Sequence, residues 1–339
     1  MENFLKTIIK DRKAEELAKL NAITVVENLF NELLDRERDI LTRRFGLNGK
    51  GGETLEEIGQ AHNLTRERVR QIESASIKKI KKLENLETQI DLIKQSVNRL
   101  LAEHGGLMEQ DFLLDILSVL SVNIGALTPA ERELYKKHCD FVISELLQND
   151  VEKVEKSDNF STFYKLKNLD INHLEEVVKE LGQKISGVKQ TLTTAELLDI
   201  LRGLKAYTRH GDKLKGGKEL DLTDILKDEI FSSEAGLLNA EKVQHTLLKA
   251  SKNIKQNKFG NWGLEEWPEI KPKKISDKIY LVLKHHGEPM HFTDIAKEIN
   301  VACFDKKKAN PGTVHNELIL DQRYVLTDRG RYGLREWKK

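Results

Sequence analysis

A chain of 339 residues is longer than a single hydrophobic core usually serves, so several domains are expected. Charged residues make up 33% of it, with 56 Lys and Arg against 55 Asp and Glu, while prolines (5) and aromatics (6%) are scarce; this balance favours many helices over a sheet-dominated fold and excludes a chain that is basic throughout. Two distant cysteines, Cys139 and Cys303, and ten scattered histidines give no disulfide framework and no metal-ligand spacing, so neither a metal nor another cofactor is expected.

The N-terminal stretch "MENFLKTIIKDRKAEELAKL" carries Glu2 at its front and no small-residue cleavage site, which argues against a signal peptide and for a cytoplasmic protein. Residues 1–33 are predicted to form a helical segment. From Thr54, "TLEEIGQAHN" predicts a helix with Thr54 and Glu57 as a capping box and Leu55, Ile58 and Ala61 on one apolar face. "HNL" is a short turn, Thr65 caps the next helix, and Val69 and Ile72 turn its apolar side to the first. Helix, tight turn, helix is the arrangement whose second helix enters the DNA major groove by its N-terminal end. At helical spacing Arg66 and Arg70 lie one turn apart, as do Glu67 and Gln71. Such residues can bond guanine, adenine and cytosine edges, which makes these four the expected base-reading set. Between Arg66 and Lys82 the cations Arg66, Arg68, Arg70, Lys78, Lys79, Lys81 and Lys82 face only Glu67 and Glu73. The same stretch also reads as a structural three-helix unit with a solvated face. In "GLNGKGGE", Lys50 is followed by Gly51 rather than Ser or Thr, so this is a helix connection and not a phosphate loop.

"LDRERDILTRRFGL" followed by "TLEEIGQAHNLTRERVRQIE" resembles region 4 of the sigma-70 family of bacterial transcription initiation factors, its primary branch above all. The resemblance covers about 34–83 and implies that the second helix reads a −35 promoter element through Arg66, Glu67, Arg70 and Gln71. It further implies phosphate contacts from Arg36 and Arg44, beside which Thr65 and Lys78 are also expected to meet phosphate, and docking of Ile40, Leu41 and Phe45 on the β flap of RNA polymerase core; ordinary core is the other reading of those three. Ala75 stands where many members carry lysine. The parts of that family that melt promoters lie upstream of region 4, and the 33 residues before Leu34 are too few to hold them, so promoter opening unaided is not expected.

Further along, "FLLDILSVLSVNIGAL" is broken by Asp115 and too short to cross a bilayer, so no membrane partner is expected. Winged-helix patterns, helices followed by a short hairpin, recur over 88–168, 171–268 and 273–339, and "YTRHGDKLKGGKELD" is expected to be a flexible loop inside the second. In the last, "KKISDKIYLVLKHHG", "PMHFTDIAKEIN", "NPGTVHNELILD" and "RYVLTDRGRYGLREW" follow as helix, strand plus helix, helix and hairpin. "TVHNELILDQRYVL" with "RYGLREW" resembles the HARE-HTH domain, also found at the N-terminus of the polymerase δ subunit. There Tyr332 and Trp337 read as core, and Lys306, Lys307 and Lys308 as either a phosphate contact or a solvated loop.

The expected fold is therefore mainly α and multi-domain: an N-terminal helical segment (1–33), a helix-turn-helix (34–86) and three tandem winged-helix-like modules. The expected function is a transcription factor that binds double-stranded promoter DNA and RNA polymerase core, with no small-molecule substrate. Two other readings fit the same residues: a stand-alone DNA-binding regulator or architectural protein, and a sigma-mimicking protein–protein adaptor. No nucleophile–base pairing, metal cluster or cofactor loop points to an enzyme, and a nuclease built on dispersed carboxylates is the furthest alternative.

Overall fold

The computed structural model of the protein describes residues 20–121, 127–155, 157–217, 220–223, 225–228, 230–231 and 239–337. It is mainly α-helical, with short antiparallel hairpins, and divides into two compact units: residues 1–172 with 210–250, and residues 173–209 with 251–339. The expectations for residues 1–19 lie outside the described residues.

In the first unit, α1 (Ala22–Phe30) starts where the Asn21 side chain accepts from the Ile23 amide at 3.1 Å. Next comes α2 (Asp35–Phe45), which stops at Gly46, a left-handed C-cap with φ of 65°. Ahead of α3 (Leu55–His62) the predicted capping box is present: Thr54 Oγ1 accepts from the Glu57 amide at 3.2 Å, and the Glu57 carboxylate accepts from the Thr54 amide at 2.7 Å. Thr65 caps α4 (Arg66–Ile80) by its hydroxyl alone, accepting from the Arg68 amide at 3.2 Å. Each cap satisfies amides that the helix itself leaves unpaired. Ile40, Ile58 and Val69 are wholly buried between α2, α3 and α4, with Leu55, Leu64 and Ile72 closing around them. Ala61, expected on this apolar face, is exposed. It is Gly59 that takes the close-packed side of the last turn of α3, against the Leu64 carbonyl.

Beyond α4 the chain runs through α5 (Leu86–Glu103), β1 (Leu107–Glu109), α6 (Gln110–Ser121), α7 (Pro129–Phe141), a π-helical turn (Val142–Leu146), β2 (Val151–Val154) and β3 (Phe163–Leu166). β3 lies between β1 and β2, both antiparallel to it, with Tyr164 opposite Met108 on one side and Lys153 on the other. Helix, strand, two helices and a hairpin with this strand order is a winged-helix arrangement. This module shares one core with the helix-turn-helix. Leu29, Leu41 and Ile80 are buried together with Leu100, Leu117 and Phe141. The Phe141 ring takes Phe30 edge-on at 5.7 Å and Phe45 at 4.8 Å. Full burial of such side chains is worth about 1.5–3 kcal/mol each, so the two segments stabilise one another.

Residues 210–250 belong to the same unit, although they fall inside the 171–268 stretch. Their helix α11 (Lys242–Ala250) buries Lys242 against Glu103 at 2.9 Å, with exposures of 4% and 7%. The Lys242 ammonium also donates to the Leu220 carbonyl. A Cβ on Gly217 would stand 2.4 Å from the Glu103 carboxylate, so the segment read as a flexible loop is anchored at this point by close packing and a buried ion pair.

The second unit begins with α8 (Asn172–Val188), α9 (Thr194–Arg202) and α10 (Lys205–Arg209), and β4 (Ile254–Gln256) pairs there with β5 (Trp262–Leu264). Leu192 exchanges both backbone hydrogen bonds with Trp262, at 2.9 and 2.7 Å, and thereby adds a one-residue third strand. Then α12 (Ile275–His286), β6 (Met290–His291), α13 (Phe292–Ala302), α14 (Pro311–Leu320), β7 (Tyr324–Asp328) and β8 (Arg331–Leu334) repeat the winged order, with β8 between β6 and β7. The echo between "NWGLEEW" and "RYGLREW" has a packing counterpart. A Cβ on Gly263 would meet the Trp267 ring at 2.7 Å, and one on Gly333 would meet the Trp337 ring at 3.1 Å. In both hairpins a bare glycine lets the indole four residues later lie on the backbone. Tyr332 is buried, with its hydroxyl 3.2 Å from His315 Nε2, and Trp337 packs half-buried on the same cluster.

Candidate nucleic-acid interface

The turn between α3 and α4 is held from three sides. Asn63 ends α3 in the left-handed conformation, with φ of 53°, which Asn tolerates better than most side chains. A Cβ on Gly59 would fall 2.7 Å from the Leu64 carbonyl, closer than backbone allows, so only glycine lets the turn close. From α2, Arg36 Nη2 donates to the His62 carbonyl at 2.9 Å, and Asp39 Oδ2 lies 2.7 Å from His62 Nε2 and 2.8 Å from Arg43 Nε. Partial burial pushes the Asp39 carboxyl up, but the hydrogen bonds from Arg43 and His62 outweigh it and hold the group below its ordinary range. The start of α4 is therefore set at a fixed angle on α2.

On α4, Arg66, Glu67, Arg68, Arg70 and Gln71 are all exposed. Arg70 grips Glu67 with two hydrogen bonds, Nη2 to Oε1 at 2.6 Å and Nε to Oε2 at 2.8 Å. Gln71 Nε2 donates to the same carboxylate at 3.5 Å, and Arg68 Nη1 donates to Gln71 Oε1 at 3.2 Å. The hydrogen bond from Arg70 keeps the Glu67 carboxyl below its ordinary value, so it is an acceptor at neutral pH. Chemically this is a compact patch of guanidinium forks, one amide and one carboxylate, able to exchange its mutual hydrogen bonds for those of base edges. Ion pairs this exposed are weak, and the exchange costs little.

The other residues singled out in the sequence lie in different settings. Thr65 is exposed and occupied as a cap, Arg36 is exposed and braces the turn, and Lys78 projects from α4 without an ion-pair partner among the described residues. Arg44 is half-buried: its Nη1 donates to the Glu53 carbonyl at 3.1 Å and its Nε sits 3.5 Å from Glu73. It also lines a cleft with Glu73, Asp140, Glu145, Glu152 and Glu155; Lys153, the other lining cation, is paired with Asp140 at 2.8 Å, so carboxylates outnumber cations and the setting disfavours a phosphate. Burial raises the Glu145 carboxyl there. Ile40 and Leu41 are fully buried and Phe45 is covered by Phe141, so in this conformation all three are occupied within the chain. Ala75 is exposed midway along α4, and Lys306, Lys307 and Lys308 are exposed before α14. The acidic cleft has no signal in the sequence, because its members are contributed by α4, α7, the π-helical turn and the β2 hairpin, far apart along the chain. Among the described residues, no group of three or more His, Cys, Asp or Glu is placed to hold a metal ion, and no helix is long and apolar enough to cross a membrane.

Residues 29–82 match the family model for sigma-70, region 4. Over 56 residues the chain is 50% identical to the RNA polymerase sigma factor SigA of Microcystis aeruginosa, a stretch that is 16% of this chain and 14% of that one. It is 45% identical over 67 residues to RNA polymerase sigma factor SigA1 of Synechococcus elongatus, covering 20% and 17%. With the RNA polymerase sigma factor RpoD of Helicobacter pylori it shares 49% identity over 57 residues, 16% of this chain and 8% of that one. No solved structure matches the chain. The chain thus spans between 8% and 17% of the length of these relatives, and what it has in common with them is a sigma-70 region 4 segment at residues 29–82.

Proposed function

We propose that the protein is a non-enzymatic transcription factor that binds promoter DNA in association with RNA polymerase. The observation that carries this reading is the region 4 match at 29–82 together with the exposed Arg66, Glu67, Arg70 and Gln71 at the start of a well-anchored α4. In this reading α4 enters the major groove of a −35-like element. Arg66 and Arg70 bond guanine edges, Gln71 an adenine, and Glu67 accepts from a cytosine amine. Arg36, Thr65 and Lys78 hold the flanking phosphates, to which Arg44, set beside the acidic cleft, adds least. In the same reading the face around Ile40, Leu41 and Phe45 meets the β flap of polymerase core, while the winged-helix modules, the last of them HARE-like, hold polymerase, flanking DNA or both and raise the local concentration of a contact that one helix-turn-helix makes weakly.

A second reading is favoured by one observation. With Ile40 and Leu41 buried and Phe45 packed on Phe141, the apolar surface implied for the flap is turned inward, which suits a regulator that reads DNA without that contact. Co-purification of core polymerase with the full-length protein from nuclease-treated lysate separates the two: its presence supports the first reading, its absence at gentle salt the second. Promoter DNA that binds equally well with Arg70→Ala would overturn the base-reading role in both.

A further inference from the structure

The reading face of α4 does not end at Gln71. At about 100° per residue, Lys78 and Lys81 return to within about 20° and 40° of the direction of Glu67, with Ser74 and the small, exposed Ala75 between them. Lys81 is about 21 Å further along the axis than Glu67, at about 1.5 Å per residue. Lys78 and Lys82 make no ion pair with any described residue, whereas Lys79 on another side is engaged by Glu37 at 3.3 Å.

At that end of α4 the following module contributes a further cation. Lys81 Nζ donates to Gln148 Oε1 at 2.9 Å, and Lys167 Nζ, just past β3, donates to the Gln148 carbonyl, also at 2.9 Å. The amide of Gln148 is fixed in turn, its Nε2 donating to the Ser144 carbonyl at 2.8 Å. One residue thus gathers two ammonium groups, and it does so with neutral acceptors. A carboxylate in that place would hold the same geometry and cancel charge; an amide adds no negative charge to the pair. Neither ammonium makes an ion pair with a described residue: Asp150 is engaged by Lys94 at 3.2 Å, and Glu145, reached by Gln148 Nε2 at 3.4 Å, acts on Lys81 only through its field.

We infer that Lys81 and Lys167, joined through Gln148, form with Lys78 and Lys82 a second phosphate-binding patch that continues the DNA contact of α4 onto the following module. This rests on the DNA-binding reading above and extends it. Duplex DNA is the partner that fits, because Lys78 and Lys81 return to the helix face of the base-reading residues and none of the four lysines makes an ion pair with a described residue. The contact is independent of sequence, so its signature is in the salt dependence, where each phosphate neutralised steepens the log–log slope by about 0.9.

The test uses the full-length protein, its preferred duplex, and a scrambled duplex of the same length, titrated between low and moderate NaCl. Lys167→Gln and Gln148→Glu are expected each to flatten the salt slope by roughly 0.5 to 1 and to weaken binding by the same factor on both duplexes. Both positions are at the surface, and circular dichroism of each variant serves as the check on folding. Unchanged slopes in both variants would overturn the patch while leaving the reading intact, provided that Arg70→Ala still abolishes the preference between duplexes. Loss of binding to an acidic protein with no change on DNA would overturn it in favour of a protein partner. If the wild-type chain binds neither duplex at low salt, the DNA reading and the patch fall together.

Discussion

α4 and α14 hold the same place in two three-helix units, each entered from a polar N-cap. Asn310 accepts from the Gly312 amide at 2.8 Å just as Thr65 accepts from Arg68. Their outer faces differ. α4 presents Arg66, Glu67, Arg70 and Gln71, while α14, "PGTVHNELIL", has no Lys or Arg and exposes Ile319 (61%) and Leu320 (77%). Their inner sides differ as well. The small cluster of Ile40, Ile58 and Val69 under α4 is backed by a core shared with the next module, whereas Val314 and Leu318 of α14 sit in a cluster drawn from its own module and from Phe259. The same fold position therefore carries two surfaces of different chemistry, one rich in guanidinium groups and one partly apolar, and what each can bind follows the side chains rather than the topology.

The comparison breaks most readily at the core. Phe141→Ala removes the ring on which Phe30 and Phe45 pack and is expected to cost about 3–5 kcal/mol. Denaturant unfolding should then show the helix-turn-helix and the module behind it melting together. A separate early transition of the helix-turn-helix would mean that it folds independently of the module behind it. Acid is the next lever. Burial lowers the His104 imidazole to about 4, its Nδ1 donates to the Leu100 carbonyl, and His245 nearby is lowered too, again by burial. A group whose folded value lies below its unfolded one stabilises the fold above the unfolded value and loses that contribution as pH falls. Stability of the unit carrying α4 should therefore decline from about pH 6.5 towards about 4, by up to about 3 kcal/mol from His104. His104→Gln, which keeps a donor for Leu100, should flatten that limb in a melting-temperature series.

Arg70→Ala sharpens the contrast at the surface. Affinity for the preferred duplex should fall about 5- to 150-fold while affinity for scrambled DNA changes little. An equal loss on both would reduce Arg70 to a phosphate contact. The smallest effect is expected from α14: Asn316→Ala and Ile319→Ser should alter stability by no more than about 0.5 kcal/mol and leave duplex affinity within experimental error. A clear loss of DNA binding in either would show that α14 also reads DNA.

Much of the fold was legible because its signals are local. The capping box at Thr54, the cap at Thr65, the left-handed stop at Gly287 and the hairpin around Asp328 and Gly330 all fall where residue chemistry placed them. Ala61 illustrates the limit: helical spacing put it on the apolar face, but the tight turn brought Leu64 and Gly59 into that space instead.

By itself the sequence determined the helix-turn-helix, its caps and the residue types on the outer face of α4, since these depend on neighbours within one or two turns. Only the tertiary structure decided that Ile40 and Leu41 face inward, that Arg44 lies among carboxylates, that residues 210–250 join the first unit through Lys242 and Glu103, and that Gln148 brings Lys167 to Lys81. These pairings span from about twenty to more than a hundred residues, and no periodicity or cap specifies which distant face meets which; that is settled by how the buried surfaces fit together.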